Sequence, residues 1–160
     1  MRGNKKINIA DEGIISVNAS STEKPHYPKY AVDFDSDEYF HSDDRCGWLE
    51  YDYKDMKICP TKYSKKTSNY HDNQCPMNWC IEVSNTRQTN DWRVIDSRNN
   101  VTSVSKRDQS DTFDIKTKLN YNECYRFVRF RSTGATSGGS GNFVMASLKY
   151  FGSLIKSNDK

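Results

Sequence analysis

The clearest hydrophobic pattern in the chain is a strict alternation within residues 79–84. Aromatic and β-branched residues alternate there with small or charged ones, in the order Trp79, Cys80, Ile81, Glu82, Val83, Ser84. A period of two with these residue types predicts a strand with one buried face. Turn-forming residues follow, and residues 92–97 show a second extended pattern, so the region predicts a hairpin with a long loop. We expect both Trp79 and Trp92 to place large apolar area in a core.

Similar patterns recur along the chain and predict further strands. These are expected at residues 14–18, 48–53, 58–67, 112–115, 125–131 and 143–151. Pro60 predicts an edge or a bulge in its strand. In the segment 125–131, Val128 and Phe130 are expected to point inward, and Arg129 and Arg131 outward. No segment shows a convincing amphipathic helix. About eight short, regularly spaced strands therefore predict an all-β protein, a β-sandwich.

The length of 160 residues corresponds to a single domain. We expect this domain over residues 12–154, with a flexible leader at 1–11 and a flexible tail at 155–160. The apolar fraction of 34% and the mean hydropathy of −0.94 are low. Ten Tyr, seven Phe and three Trp nevertheless provide material for a core. Disorder throughout the chain is excluded because disordered chains are poor in aromatic residues.

Charge is unevenly distributed, although the net charge is only +3. Residues 11–55 contain twelve acidic and four basic residues, a net of −8, and residues 56–160 contain seventeen basic and nine acidic residues, a net of +8. This pattern predicts either an acidic rim with a basic face or ordinary solvated charge, and salt screening favours the second. No run of Lys and Arg is long enough for a nucleic-acid tract, so we expect no nucleic-acid partner.

The sequence predicts an intracellular, cytoplasmic protein if Met1 is the native start. No apolar run approaches the roughly 18 residues that a membrane-spanning helix needs, and the N-terminal residues lack the apolar segment of a secretory signal. The domain is large enough to fold without disulfides. Its cysteines are odd in number: Cys46, Cys59, Cys75, Cys80 and Cys124. We therefore expect reduced thiols.

Seven short motifs carry a resemblance to a known family. The central one is Trp-Cys-Ile-Glu-Val-Ser-Asn at 79–85, followed by Asp-Trp at 91–92. The others lie, in chain order, at residues 17–21, 31–35, 40–42, 48–53, 127–134 and 150–153. Together they cover roughly residues 14–153 and resemble discoidin-like domains, the factor V/VIII type C family of the galactose-binding-like superfamily. The variant is most similar to discoidin-like domains of intracellular, BTB-associated proteins.

The resemblance implies a jelly-roll β-sandwich whose ligand-contacting loops cluster at one end. It maps these loops to residues 22–29, 38–46 and 69–76, with 132–142 as a possible neighbour. The side chains in them that are suited to ligand contact are His26, Tyr27, His41, Asp43, Asp44, Arg45, Asn69, Tyr70 and His71. Aromatic rings and hydrogen-bonding groups on a rigid scaffold suit a sugar or a peptide. The alternative is that these are ordinary loop residues.

Membrane insertion is disfavoured, because the loop tips carry Lys24, Pro25, His26 and Asp43 instead of large apolar residues. Lectin-type members of the family hold a calcium ion, and Asp33 and Asp35 match part of that site. The closing stretch, however, carries Lys149 where a hard cation requires oxygen donors. Calcium is therefore a weak alternative, and we expect no cofactor.

Thiol-metal and catalytic chemistry have less support. His71, Cys75 and Cys80, with Cys46 or Cys59 as a further ligand, lack the tight paired spacing of zinc sites, so ordinary semi-buried thiols are favoured. Three histidines near Cys or Ser could form a nucleophile and base, and Asp43 with Asp44 could serve as paired carboxylates. No nucleophile elbow or phosphate-binding glycine loop accompanies them. We expect no catalytic residue and no enzymatic activity.

The expected function is therefore a non-catalytic binding module, with two partner classes. An intracellular protein-interaction domain that uses the loops at one end of the sandwich is favoured. A carbohydrate-binding, lectin-like domain is the alternative, because fold alone does not decide the ligand.

Overall fold

The computed structural model describes residues 8–33 and 36–157. These residues form ten strands and one short 3-10 helix, η1 (Pro28–Val32). The strands are β1 (Ser16–Ala19), β2 (Phe40–His41), β3 (Trp48–Asp52), β4 (Met56–Lys66), β5 (Trp79–Ser84), β6 (Arg93–Arg98), β7 (Ser110–Asp114), β8 (Phe127–Ser132), β9 (Val144–Met145) and β10 (Ser147–Lys156). The all-β prediction is confirmed, and β2 and β9, two residues each, account for the strands beyond the expected eight.

The strands form a jelly-roll β-sandwich with antiparallel pairing throughout. One sheet has the order β1-β3-β8-β5-β6, and the other has the order β10-β4-β7. A short ribbon of β2 and β9 completes the fold. Strands far apart in sequence pair with each other, β3 with β8 and β4 with β10 among them, so the topology is set by long-range contacts.

The core lies between the two larger sheets and is rich in aromatic rings. Trp79 is fully buried, stacks on Phe130 at 5.6 Å and meets Phe113 edge-on at 5.3 Å. Its indole N–H donates to the Tyr63 hydroxyl at 2.8 Å, and that hydroxyl donates to Asp96 at 2.6 Å. These two hydrogen bonds give the indole N–H of Trp79 and the hydroxyl of Tyr63 their partners, which buried polar groups require.

The predicted hairpin is confirmed as β5 and β6, but Trp92 is not in the core. The Trp92 ring lies 3.8 Å from the Arg129 guanidinium, on the outer side of the five-stranded sheet. Strand β5 is also buried on both faces, with Glu82 only 5% exposed, where the sequence predicts one solvated face. The reason is that β5 is interior to its sheet and that arginine and tryptophan side chains cover its outer face.

The bulge predicted at Pro60 is confirmed. The pairing of β4 with β10 shifts between Phe151, which faces Lys62, and Gly152, which faces Pro60. Pro60 lies outside the stretch of β4 that pairs with β7, so its missing N–H breaks no bond to that strand.

The expectation of reduced thiols is wrong for one pair. Cys59 and Cys124 form a disulfide, with their Cα atoms 4.2 Å apart. The loop 115–126 folds back over β4, where Ile58 pairs with Tyr125, and this brings the neighbouring cysteines together. Nothing in the sequence indicated this pairing, because the two cysteines are 65 residues apart. Cys46, Cys75 and Cys80 are free.

The last strand continues to Lys156, beyond the predicted domain end at residue 154. At the other end, Asn8 accepts hydrogen bonds from the N–H groups of Ala10 and Asp11, so residues 8–11 form a turn within the predicted leader. In the described part of the chain, no helix is long and apolar enough to cross a membrane.

Candidate functional site

Four loops meet at one end of the sandwich, as the resemblance implies. They follow β1, β2, β4 and β8 and comprise residues 20–39, 42–47, 67–78 and 133–143. Backbone hydrogen bonds join them: Glu23 N–H donates to the His41 carbonyl, Ser42 N–H to the Phe143 carbonyl and Gly138 N–H to the Asn73 carbonyl, each at 2.9 Å. Because strands carry these loops to the same edge, residues far apart in sequence form one surface.

All three histidines come together with two tyrosines at this end. We call the set His26, Tyr39, His41, Tyr70 and His71 the His/Tyr cluster. The ring of His26 stacks on Tyr39 at 4.1 Å, and Tyr39 contacts Tyr70 at 5.9 Å and His71 at 5.2 Å. The ring of His41 lies 6.3 Å from His26 and 6.1 Å from His71.

Hydrogen bonds hold the cluster in place. The Tyr39 hydroxyl lies 3.2 Å from the Nε2 atoms of both His26 and His71. On the other side, His41 Nδ1 is 3.2 Å from Glu23, and its Nε2 is 3.2 Å from the Gln74 side chain. The contacts of His71 with Tyr39, and of His41 with Glu23 and Gln74, join different loops, which preorganises the surface.

Burial sets the protonation of two cluster members. Partial burial lowers the pKa of His41, and the nearby Glu23 carboxylate opposes this effect. Burial also raises the pKa of Tyr39, and Tyr70, Glu23 and Glu38 add to the increase. The uncharged forms of both rings are thus favoured at neutral pH, and both act there as hydrogen-bonding groups.

A pocket of about 270 Å³ opens beside the cluster. It is lined by His26, Asp37, Glu38, Tyr39 and Tyr70. The Tyr70 ring is 64% exposed, so one aromatic face is available to a ligand. The Nδ1 atom of His26 is buried and has no hydrogen-bond partner in the described structure. Such an unsatisfied polar atom is uncommon in folded proteins and is compatible with a ligand or water partner.

The other predicted site residues have different surroundings. Asp44 accepts hydrogen bonds from the hydroxyls of Ser20 and Ser21, which tie the loop 42–47 to the end of β1. Asp43 and Asn69 are exposed, and the Arg45 side chain packs against the backbone of Gly141. Tyr27 pairs with Tyr30 at 6.2 Å, and no described contact joins it to the cluster. The predicted residues that the structure brings together are His26, His41, Tyr70 and His71.

Three residues of this arrangement escaped the sequence analysis. Tyr39 is the centre of the cluster, and Glu23 and Gln74 orient His41. One sequence signal was available for Tyr39, namely its position immediately before the inward-pointing Phe40 and two residues before the predicted site residue His41. For Glu23 and Gln74 there was none, since polar residues are common in any surface loop.

Metal binding has no support in the described residues. No group of three or more His, Cys, Asp and Glu there is arranged to hold a metal ion. Asp33, half of the calcium alternative, lines a groove beside β10, and Asp35 lies outside the described residues. Of the thiols considered for a metal, Cys59 is in the disulfide, and Cys75 donates to the backbone carbonyl of His71.

The arrangement also lacks a nucleophile. His41 does have the carboxylate partner Glu23. In the described ranges, however, no histidine ring is hydrogen-bonded to a Ser or Cys side chain; the ring partners are Tyr39, Gln74 and Glu23. The groups that are present can stack on a ring and exchange hydrogen bonds with it, which is recognition chemistry.

The chain has the galactose-binding-like β-sandwich fold of discoidin-like domains. A family 32 carbohydrate-binding module (CBM) of Clostridium perfringens NanJ, solved with galactose, superimposes with a TM-score of 0.66 at 10% identity, over 87% of this chain and 94% of the other. CBM32-3 from a family 31 glycoside hydrolase of Clostridium perfringens gives a TM-score of 0.70 at 16% identity, over 93% and 99%.

A third similar structure is the CBM32 of AlyQ, solved with 4,5-unsaturated mannuronic acid. Its TM-score is 0.64 at 12% identity, over 86% of this chain and 95% of the other. No family model matches the sequence, and the comparison with curated proteins finds no match. At identities this low, the similarity establishes the fold and leaves the function to the site.

Proposed function

We propose that this domain is a non-catalytic carbohydrate-binding module that binds a sugar in the pocket beside the His/Tyr cluster. The observation that carries the proposal is the pocket itself: an exposed Tyr70 ring next to imidazole and carboxylate groups, all held by contacts between loops. A pyranose ring presents an apolar face and a rim of hydroxyls, which suits one aromatic platform with several hydrogen-bonding partners.

The comparisons support this choice over the protein-interaction function favoured by the sequence. Two of the similar structures hold sugars, galactose in one and an unsaturated mannuronic acid in the other. The pocket volume of about 270 Å³ is just below the range of about 300–1,000 Å³ for drug-sized ligands, which suits a single sugar ring.

The test is a glycan array followed by calorimetry on the best ligand, with the variant Tyr70→Ala. Loss of the platform should raise the Kd by about tenfold, the value of one aromatic contact of about 1.4 kcal/mol. The matched control is Tyr121→Ala, because Tyr121 is 94% exposed at the opposite end of the sandwich. Equal affinity in both variants, or no glycan bound by the wild type, would refute the proposal.

Protein interaction is the second candidate, favoured by one observation. A groove of about 460 Å³ lies between the N-terminal residues and β10, and Ile9 and Leu154 at its edge are 37% and 54% exposed. Exposed apolar groups of this kind are typical of contact surfaces. If this groove binds a protein partner, Leu154→Asp should abolish co-purification of that partner, whereas Tyr70→Ala should leave it unchanged.

The compartment in which the protein works remains a proposal. The sequence predicts an intracellular location, whereas the Cys59–Cys124 disulfide argues for an oxidising environment. Alkylation of the protein under native conditions, followed by mass spectrometry, decides between the two. Unmodified Cys59 and Cys124 in protein from its own cells would support the oxidising location, and modified cysteines the intracellular one.

A further inference from the structure

The pocket beside the His/Tyr cluster carries negative charge at its mouth. Asp37 and Glu38 are both exposed and line the pocket together with Tyr39 and Tyr70. Among the described residues, no Lys, Arg or His forms an ion pair with either carboxylate. Their charges are therefore available to a ligand.

The surroundings reinforce this charge. Glu23 lies on the far side of the cluster, and both Glu23 and Glu38 help to raise the pKa of the Tyr39 hydroxyl. Two of the four loops at this end, residues 20–39 and 42–47, belong to the acidic stretch 11–55 of the chain. Lys66 lines a small neighbouring cleft together with Asp37, and Glu38 does not line that cleft, so Glu38 is the less compensated of the two carboxylates.

Resting on the proposed carbohydrate-binding function, we propose that the pocket selects a sugar that carries a free, protonated amine, and that Glu38 and Asp37 determine this specificity. A glucosamine-type ring can stack on Tyr70 while its ammonium group meets the carboxylates. A charge-assisted hydrogen bond of this kind is stronger than one between neutral groups.

The same geometry disfavours an acidic sugar. A uronic acid would bring its carboxylate next to Asp37 and Glu38, and like charges this close repel each other. An N-acetylated sugar keeps the ring that stacks on Tyr70 but has a neutral acetamide in place of the ammonium group. The order of affinity should therefore be free amine, then N-acetyl, then uronate.

The expected effect is moderate because both carboxylates are exposed. One unit-charge interaction at about 4 Å in water changes affinity by about fivefold. Salt screens exposed charges, so the preference should shrink as the NaCl concentration rises from 50 to 500 mM. A preference that arises from shape would not respond to salt.

The experiment measures Kd by calorimetry for three probes: a chitosan tetramer with free amines, its fully N-acetylated counterpart and an oligouronate. All are measured in one buffer, acidic enough to protonate the amines. Because both chitosan forms are measured in that one buffer, the ratio of the two Kd values compares an ammonium group with a neutral acetamide on the same sugar ring. We expect the free-amine form to bind at least about fivefold tighter than the acetylated form.

The key variant is Glu38→Gln, which removes the charge and keeps the shape. It should weaken binding of the free-amine tetramer by about fivefold and leave the N-acetylated tetramer unchanged. The matched control is Glu12→Gln, because Glu12 is exposed in the N-terminal turn and does not line the pocket. Asp37→Asn should produce a smaller loss.

The outcomes distinguish the two proposals. Equal or tighter binding of the N-acetylated sugar or the uronate would overturn the amine specificity and leave the carbohydrate-binding function in place. A preference for the amine that survives Glu38→Gln and Asp37→Asn would also overturn it. Failure of all three probes to bind would overturn the amine specificity, and failure of every glycan on the array as well would remove the carbohydrate-binding function.

Discussion

Lys65 lies inside the sandwich, fully buried, one residue before the C-terminal end of strand β4. Its ammonium group donates to the carbonyl oxygens of Pro76 at 3.2 Å and Val104 at 3.4 Å, and lies 5.1 Å from the Trp79 ring. In the described structure no carboxylate pairs with it, and burial lowers its pKa to about 7. The folded protein therefore contains a cation that is expensive to keep charged.

Replacing Lys65 with Met should change how stability depends on pH. Between pH 7 and 10.5 the unfolded chain binds this proton and the folded chain does not, so wild-type stability rises with pH in that window. Lys65→Met should lack this rise and be more stable below pH 7, by on the order of 5 kcal/mol. Urea unfolding at several pH values measures both effects, and parallel curves for the two proteins would contradict the lowered pKa.

Arg129 is the second residue whose placement matters for stability. Its guanidinium lies 4.2 Å from Trp48 and 3.8 Å from Trp92, and it pairs with Glu50 at 3.2 Å and Glu82 at 3.5 Å. Both glutamates are buried, so the arginine compensates charges that water does not reach. This explains why charged residues occupy the outer face of an interior strand.

Arg129→Met should destabilise the domain by about 2–4 kcal/mol, because it leaves buried carboxylates undercompensated. Arg87 and Arg131 retain contacts with Glu50 and Glu82, which keeps the loss within this range. The control is Arg93→Met, which breaks the more exposed pair with Glu123 and should cost clearly less, because water screens that pair. Chemical denaturation of both variants gives the comparison; equal costs would show that the covered network adds no stability.

At the scale of the elements, the long pairing of β4 with β10 depends on Gly152. Its φ is +155°, and a Cβ at this position would clash with the backbone carbonyl oxygen of Cys59 across the bulge. Because backbone atoms are on the other side of the clash, a side-chain rotation cannot relieve it. The bulge therefore requires glycine.

Gly152→Ala should cost more than about 2 kcal/mol, because the two strands must separate to admit a methyl group. Gly139→Ala is the matched control: its φ is also positive, at +82°, but no atom lies within 4 Å of the added Cβ. Strain alone should cost about 1 kcal/mol there. Thermal unfolding of the two variants tests the difference, and a smaller loss at Gly152 than at Gly139 would contradict the close approach.

At the scale of the whole molecule, the sandwich separates its two ends. The His/Tyr cluster lies at the ends of β4 and β8 in chain direction, and the Cys59–Cys124 disulfide lies at their beginnings. The same strands run between the two ends. Among the described residues, no side chain at one end contacts a side chain at the other. Stability and ligand binding should therefore respond to different changes.

Cys59→Ser should lower the free energy of unfolding by about 4 kcal/mol, the loop-closure value for a sequence separation of 65 residues. The Kd of the sugar at the opposite end should stay the same below the unfolding transition. Cys46→Ser controls for loss of a thiol, since Cys46 is free and exposed. A variant as stable as the wild type would mean that the disulfide does not form.

The sequence predicted the secondary-structure elements better than the contacts between them. The strand around Trp79, the inward Val128 and Phe130 and the bulge at Pro60 are all local signals, and all are confirmed, although both faces of the strand around Trp79 are buried. For the site, the family resemblance placed three loops at one end with residues 132–142 as a possible neighbour, and the structure joins all four. The centre of the cluster, Tyr39, was missed because its importance comes from two loops, 20–39 and 67–78, whose rings meet around it.

Side-chain periodicity and residue type alone thus determined the all-β class, the hairpin and the faces of most strands, because a strand has only two faces. The tertiary structure decided the rest. It placed Trp92 on the outside, buried Lys65, paired Cys59 with Cys124 and assembled three histidines with two tyrosines. These outcomes depend on which distant strands pair, and pairing is a property of the folded whole, since one residue cannot specify its partner across a sheet.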